Sequence, residues 1–167
     1  ETGWLALLPS LSEHFTCYTI NTRGRGPSED HPDHSRQRLV EDIVAFVESI
    51  GGHVLLFGHS AGGAHALEAA ARSEAVRALA VYEPTLIELA EPDLRARFDD
   101  AFDRVRQAVD DARPADGAQI FLEDLALANA DELAVAAEVG GAEEMASLVP
   151  LVLAEAEQSG PSQLTDL

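Results

Sequence analysis

The first half of the chain switches between two hydrophobic periods, one suited to helices and one to strands. Apolar residues from Trp4 to Leu11 recur at helix-like spacing, which predicts a short helix ending near His14. Phe15-Thr16-Cys17-Tyr18-Thr19-Ile20 is rich in β-branched and aromatic residues and reads as a strand. Arg23-Gly24-Arg25-Gly26-Pro27-Ser28 reads as a turn-rich loop. Leu39, Val40, Ile43, Phe46, Val47 and Ile50 then return to the helical period, and Gly51-Gly52 stops that helix. His53 to Phe57 is a continuous apolar run, the pattern of a parallel strand covered on both faces. A Gly- and Ala-rich helix is predicted from Ser60 to about Ser73. Val76 to Tyr82 is a further strand, closed by Glu83-Pro84.

The order helix, strand, helix, strand, helix, strand predicts an α/β fold with a doubly wound, mainly parallel sheet of about three strands over residues 1–84. Beyond Tyr82 no segment reads as a strand. Leu94, Phe98, Ala101, Phe102, Val105 and Val109 share one helix face, opposite Asp99, Asp100, Asp103, Arg104 and Arg106. Shorter helices are predicted near Ala118–Leu127 and Asp131–Val139, and a last one about Ser147–Gln158 with Pro150 in its first turn. Residues 85–160 thus read as a helical block, and residues 161–167 as a polar tail.

Composition narrows the function classes. The net charge of −19 argues against nucleic acid and anionic membranes as partners. The charge is uneven: residues 1–84 hold 11 acids and 6 arginines, and residues 85–167 hold 19 acids and 5 arginines. Solvated helix faces account for the acidic half. No apolar run is long enough to span a membrane, and no signal peptide opens at Glu1, so a cytoplasmic location is expected. The single cysteine, Cys17, excludes an internal disulfide and reads as a buried structural thiol in its apolar run.

One motif carries chemistry. Gly58-His59-Ser60-Ala61-Gly62 follows a predicted strand and opens a predicted helix. A serine hydroxyl is a poor nucleophile until it is exposed, oriented and paired with a base. A sharp strand-to-helix turn solves the geometric part, and the flanking Gly58 and Gly62 are expected to be required because a Cβ there would collide with the neighbouring strand and helix, with His59 and Gly63 as further structural residues of the turn. The helix N-terminus favours a developing oxyanion, with the backbone N–H of Ala61 as one donor. The bland alternative is a Gly-rich turn with a structural serine.

These residues carry a resemblance. The run from Trp4 to Phe15, the segment to Ile20, Arg23-Gly24-Arg25-Gly26-x-Ser28, Gly58-His59-Ser60-Ala61-Gly62-Gly63 and Tyr82-Glu83-Pro84 resemble, in order and spacing, the α/β-hydrolase superfamily, and most of all its small bacterial esterase, lipase and perhydrolase-like members. The likeness is close over residues 1–84, and residues 85–160 resemble the helical cap, or lid, that many members insert after the sixth strand. Asn21 stands where the family usually has Asp. The resemblance implies a serine hydrolase that needs no cofactor or metal and acts on a small apolar substrate with an ester-like acyl bond. Serine at the nucleophile argues against the dehalogenase and epoxide-hydrolase branches, which use a carboxylate.

The resemblance also implies that this is the middle of such an enzyme. The loop giving the second oxyanion N–H would precede Glu1, and the strands with the usual acid and the catalytic histidine would follow Leu167. Without the strand that the family places between Phe15–Ile20 and Val54–Phe57, exposed sheet edges or direct pairing of those two strands are expected, with self-association through the open edges. Within the chain, Glu83 ends a strand on the rim of Ser60 and is the candidate triad acid, with a structural or lid-orienting role as the alternative. Among the histidines, His59 points away from the pocket as a packing residue, His65 lies deeper in the same helix, His31 and His34 sit in the loop Pro27–Ser35, and His14 and His53 complete the set. Two further readings are a non-catalytic holder of a small apolar ligand and an inactive fragment.

Overall fold

The computed structural model describes Trp4, residues 7–138 and residues 140–159. The chain divides into two compact units, residues 1–84 and residues 85–167.

The first unit holds α1 (Leu8–Ser12), α2 (Arg36–Ser49), β1 (Val54–His59), α3 (Ser60–Arg72) and β2 (Val76–Tyr82). β1 and β2 pair in parallel, with α3 as the crossover. Their register runs from Val54 opposite Val76 to His59 opposite Tyr82, so both strands end on the same rim. α2 and α3 cover one face of this pair. Val54, Leu56 and Val76 pack there against Val40, Ile43 and Val47 of α2 and Ala69 of α3. Strand side chains alternate, so Leu55 and Phe57 belong to the other face, and a register shift after Val54 puts Tyr82 there too, opposite His59; all three remain exposed. The continuous apolar run predicted a strand covered on both faces; among the described residues helices cover one face, and on the other Trp4 meets Phe57 edge-on at 5.1 Å.

Polar contacts fix α2 and the loop before it. The Arg23 guanidinium donates two hydrogen bonds to Asp42 of α2, each 2.8 Å long, and a third to the Asp33 carbonyl. A paired, planar contact of this kind holds geometry better than a single ion pair. Asn21, in the position that departs from the family pattern, accepts the Ser28 hydroxyl at its carbonyl, 2.8 Å away, which closes the turn. Glu68 of α3 is buried and lies between Arg36 of α2 at 3.3 Å and Arg72 at 3.4 Å. α2 ends at Gly51, whose φ of +75° is readily adopted only by glycine.

Several expectations are corrected here. Phe15–Ile20 is not a strand, and the sheet has two strands rather than three. A strand needs a ladder partner, and among the described residues β1 pairs only with β2. The segment is held by side chains instead: Ile20 packs on the α2 core, and the Tyr18 ring meets Phe46 edge-on at 6.1 Å. Of the two outcomes expected for the sheet, unpaired edges are observed among the described residues and direct pairing of Phe15–Ile20 with Val54–Phe57 is not. Cys17, expected to be buried, is exposed. The first helix is also shorter than predicted, five residues from Leu8 to Ser12.

The second unit is helical throughout its described residues: a short 3-10 turn (Ile87–Leu89), α4 (Pro92–Asp110), α5 (Pro114–Ile120), a π-helical turn (Phe121–Leu125), α6 (Ala130–Glu138) and α7 (Gly141–Gln158). Its core is Ala101, Val105, Ala118, Leu125, Val149 and Leu153. Phe98 and Phe102 pack against that core, so the apolar stripe of α4 serves its own unit. α7 begins earlier than predicted, after Gly140 at φ +73°, and this places Pro150 inside the helix instead of in its first turn. There its missing N–H leaves one helical carbonyl without its usual donor. The predicted tail, residues 161–167, lies outside the described residues.

Candidate functional site

β1 stops at His59 in extended backbone (φ −125°, ψ 142°), and α3 starts at the next residue. Ser60 makes that switch with φ +53°, in the left-handed region. For a serine this costs on the order of 1–3 kcal/mol and persists only when the surroundings impose it. The surroundings here are the glycines. A Cβ on Gly58 would lie 2.7 Å from the Gly62 carbonyl oxygen, 2.8 Å from Gly63 Cα and 2.9 Å from Ala66 Cβ. A Cβ on Gly63 would lie 3.1 Å from Pro84 Cβ. Strand and helix therefore approach so closely that only glycine fits between them. Gly62 is different: a Cβ there would meet nothing within 4 Å. The expectation that Gly62 is needed for lack of space is corrected; its place in the turn is open.

The turn leaves Ser60 half-buried at the first position of α3, with Ala61 exposed beside it. The first four N–H groups of a helix have no partner inside the helix, and they point along the positive end of its dipole. The Ala61 N–H is one of them. Hydrogen-bond donation to a developing negative charge next to Ser60 is thus available from the backbone alone.

Glu83 follows β2 as Ser60 follows β1, and the register that pairs His59 with Tyr82 sets them on the same rim. Glu83 is exposed and also has a positive φ, +46°. Glu83 is thus a solvent-exposed carboxylate residue at the same end of the sheet as Ser60.

The described histidines are occupied in other ways. His59 lies against Tyr82 (ring centroids 5.4 Å apart) and meets Trp4 at 6.5 Å, on the open face of the sheet. His34 is buried rather than loop-exposed, with Nε2 3.1 Å from Asp30. His31 accepts the Asp33 N–H at Nδ1, and His14 meets Phe15 ring to ring. His53 is exposed at the foot of β1.

His65 is buried in α3. Burial above all, with the Arg36 charge from α2 and a smaller push from Arg25, lowers its pKa to about 4, against an opposing pull from Glu68 on its own helix. The unfolded chain takes up this proton near pH 6.5 and the folded one only near pH 4. The stability held by neutral His65 is thus complete above about pH 6.5 and is lost as the pH falls towards 4. We expect about 3 kcal/mol to disappear across that window, and His65→Gln to remove that part of the slope. Urea midpoints of the two proteins at pH 7.5 and 4.5 check this; equal slopes would contradict it.

The sequence reading missed the buried Arg36–Glu68–Arg72 contact. The spacing of Glu68 and Arg72 at i, i+4 signals half of it; nothing in the sequence marks Arg36. It also missed the left-handed backbone at Glu83. Among the described residues no group of three or more His, Cys, Asp or Glu side chains is placed to hold a metal ion, and no helix is long and apolar enough to cross a membrane.

Comparison with known proteins follows the same lines. A family model described as the alpha/beta hydrolase family matches residues 2–164. A solved structure, an alpha/beta hydrolase from Sphaerobacter thermophilus DSM 20745, is similar with 27% identity and a TM-score of 0.67, over 90% of this chain and 59% of that one. The chain therefore spans less than two thirds of the length of that structure. No curated protein matches the chain.

Proposed function

The chain belongs to the alpha/beta hydrolase family, and on that premise we propose that Ser60 is the nucleophile of a serine hydrolase cleaving an ester-like acyl bond in a small substrate. The observation that carries this reading is the left-handed backbone of Ser60 at the β1–α3 junction. Such strain clusters at functional sites, and here it stands at the strand-to-helix turn of a Gly-x-Ser-x-Gly motif, the place where a nucleophilic serine is presented.

In this mechanism Ser60 Oγ attacks the substrate carbonyl as a base removes its proton. The carbonyl oxygen becomes an oxyanion held by the Ala61 N–H. Collapse of the tetrahedral intermediate expels the alcohol, and water then hydrolyses the acyl-serine. The base in this reading is a histidine, as in other serine triads; His59 packs against Tyr82 and Trp4, and His65 is buried in α3. Glu83 is the rim carboxylate suited to orient such a base. Residues 85–160 act as a helical cap that sets substrate choice, and the apolar character proposed for the acyl group does not draw on Phe98 and Phe102, which pack within their own unit.

One observation favours a second reading, a holder of a small apolar ligand. Trp4, Leu7, Phe57, His59, Val81 and Tyr82 line an open groove of about 500 Å³ on the uncovered face of the sheet. Hydrolysis of p-nitrophenyl acetate separates the two. The catalytic reading expects Ser60→Ala to lower the rate about a thousandfold or to background. Equal rates for parent and variant would remove it and leave the binding reading.

The same face supports self-association. Leu55 is 60% exposed in the middle of β1, and each strand has one unpaired edge. Leu55→Lys is expected to shift sedimentation from oligomer to monomer at micromolar concentration; a parent protein that is already monomeric would contradict this.

A further inference from the structure

Two neighbouring strand ends share an unusual backbone. Ser60 and Glu83 each follow the last paired residues of β1 and β2, and each has a positive φ, +53° and +46°. At Ser60 the close approach of Gly58 to Gly62, Gly63 and Ala66 imposes it. At Glu83 nothing intrinsic to the residue does. Proline follows, and a proline ring favours extended backbone in the residue before it. The local preference is therefore overruled by packing.

That packing is visible one residue on. Pro84 lies against Gly63 in the first turn of α3: a Cβ on Gly63 would be 3.1 Å from Pro84 Cβ and 3.2 Å from Pro84 Cα. The Gly58 carbonyl oxygen lies 3.4 Å from the same point. Gly63 is thus held between the end of β1 and the turn after β2. A shift of the helix turn that begins at Ser60 therefore changes the contact of Gly63 with Pro84.

We infer that the Glu83–Pro84 turn is a positioning element for the Ser60 elbow, with Pro84 bracing the first turn of α3 through Gly63. The inference rests on the reading of Ser60 as nucleophile for its purpose, but its geometry stands without it. Pro84 touches no reacting atom. It acts by holding Gly63, and Gly63 holds the carbonyl–amide frame in which Ser60 keeps its left-handed backbone. The proline ring is suited to this because its φ is fixed, so the brace does not yield by backbone rotation.

The test is Pro84→Ala in the full 167-residue chain, read by native-state amide exchange and by Ser60 labelling with a fluorophosphonate. Ala64, His65 and Ala66 are the amides to follow, because their helical acceptors are the carbonyls of Ser60, Ala61 and Gly62. The brace predicts exchange at least tenfold faster at these three, with the amides of Val40, Ile43 and Val47 in α2 within twofold of the parent. It also predicts a tenfold slower limiting rate of labelling, with the concentration for half-maximal rate within twofold. Exchange unchanged at Ala64–Ala66, or accelerated equally in α2, would overturn it, the second by showing a general loss of stability. Absence of labelling in the parent would instead remove the nucleophile reading, while the exchange result would still decide the brace.

Discussion

Gly58→Ala is expected to destabilise the first unit by about 3 kcal/mol or more, the top of the range for overpacking, because the new methyl meets backbone that cannot rotate aside. Two of its three nearest neighbours are the Gly62 carbonyl oxygen at 2.7 Å and Gly63 Cα at 2.8 Å. Relief requires α3 to move off β1, and that motion undoes the turn at Ser60. For a unit of this size the loss corresponds to a fall in Tm of about 12 °C or more. The comparison variant is Gly62→Ala. It stands in the same motif, yet its Cβ would meet nothing within 4 Å. Alanine is also the better helix former, by up to about 1 kcal/mol. Gly62→Ala is therefore expected to leave Tm unchanged or raise it slightly. Thermal denaturation of both variants checks the pair; equal losses would show that the contact geometry does not govern the elbow.

That contrast shows what the sequence carries and what it omits. The elbow was legible because three signals agree: a continuous apolar run, a Gly-x-Ser-x-Gly motif, and a helix-forming segment after it. The separate roles of Gly58, Gly62 and Gly63 were not, because they depend on how closely α3 approaches β1. The period of α2 was legible for the same reason as its core, since Leu39, Val40, Ile43 and Val47 are all buried. Phe15–Ile20 has the composition of a strand, but strand formation belongs to a pair of segments, and composition names only one. Pro150 was read as an N-terminal residue because proline is well tolerated there; the earlier start at Gly140 follows from a left-handed glycine that spacing does not reveal. His34 was read with its loop, but its burial and its contact with Asp30 come from the folding of that loop onto the unit. Glu83 was read as an end-of-strand carboxylate, and its backbone conformation runs against the preference set by Pro84.

The buried contacts follow a consistent logic in the first unit. Glu68 is placed between two arginines, which offsets the cost of removing its charge from water. His65 beside it stays neutral, as burial next to Arg36 requires. Together they hold α3 against α2 from behind while glycine contacts hold it against β1 and Pro84 from the front. The helix that begins with Ser60 is thus fixed on both sides, which is the arrangement a nucleophile at its first residue needs.

The proposed chemistry depends on Ser60 being an activated nucleophile. The second large effect expected of the protein is therefore a covalent one: treatment with a fluorophosphonate should add the phosphonyl group to Ser60 Oγ with loss of fluoride, and Ser60→Ala should show no adduct under the same conditions. Peptide mass spectrometry of the 167-residue chain reads this directly. An adduct on the peptide containing Gly58-His59-Ser60-Ala61-Gly62, absent in the variant, is the predicted result. An unmodified Ser60 after prolonged exposure, or equal modification of the Ser60→Ala protein at another residue, would contradict it.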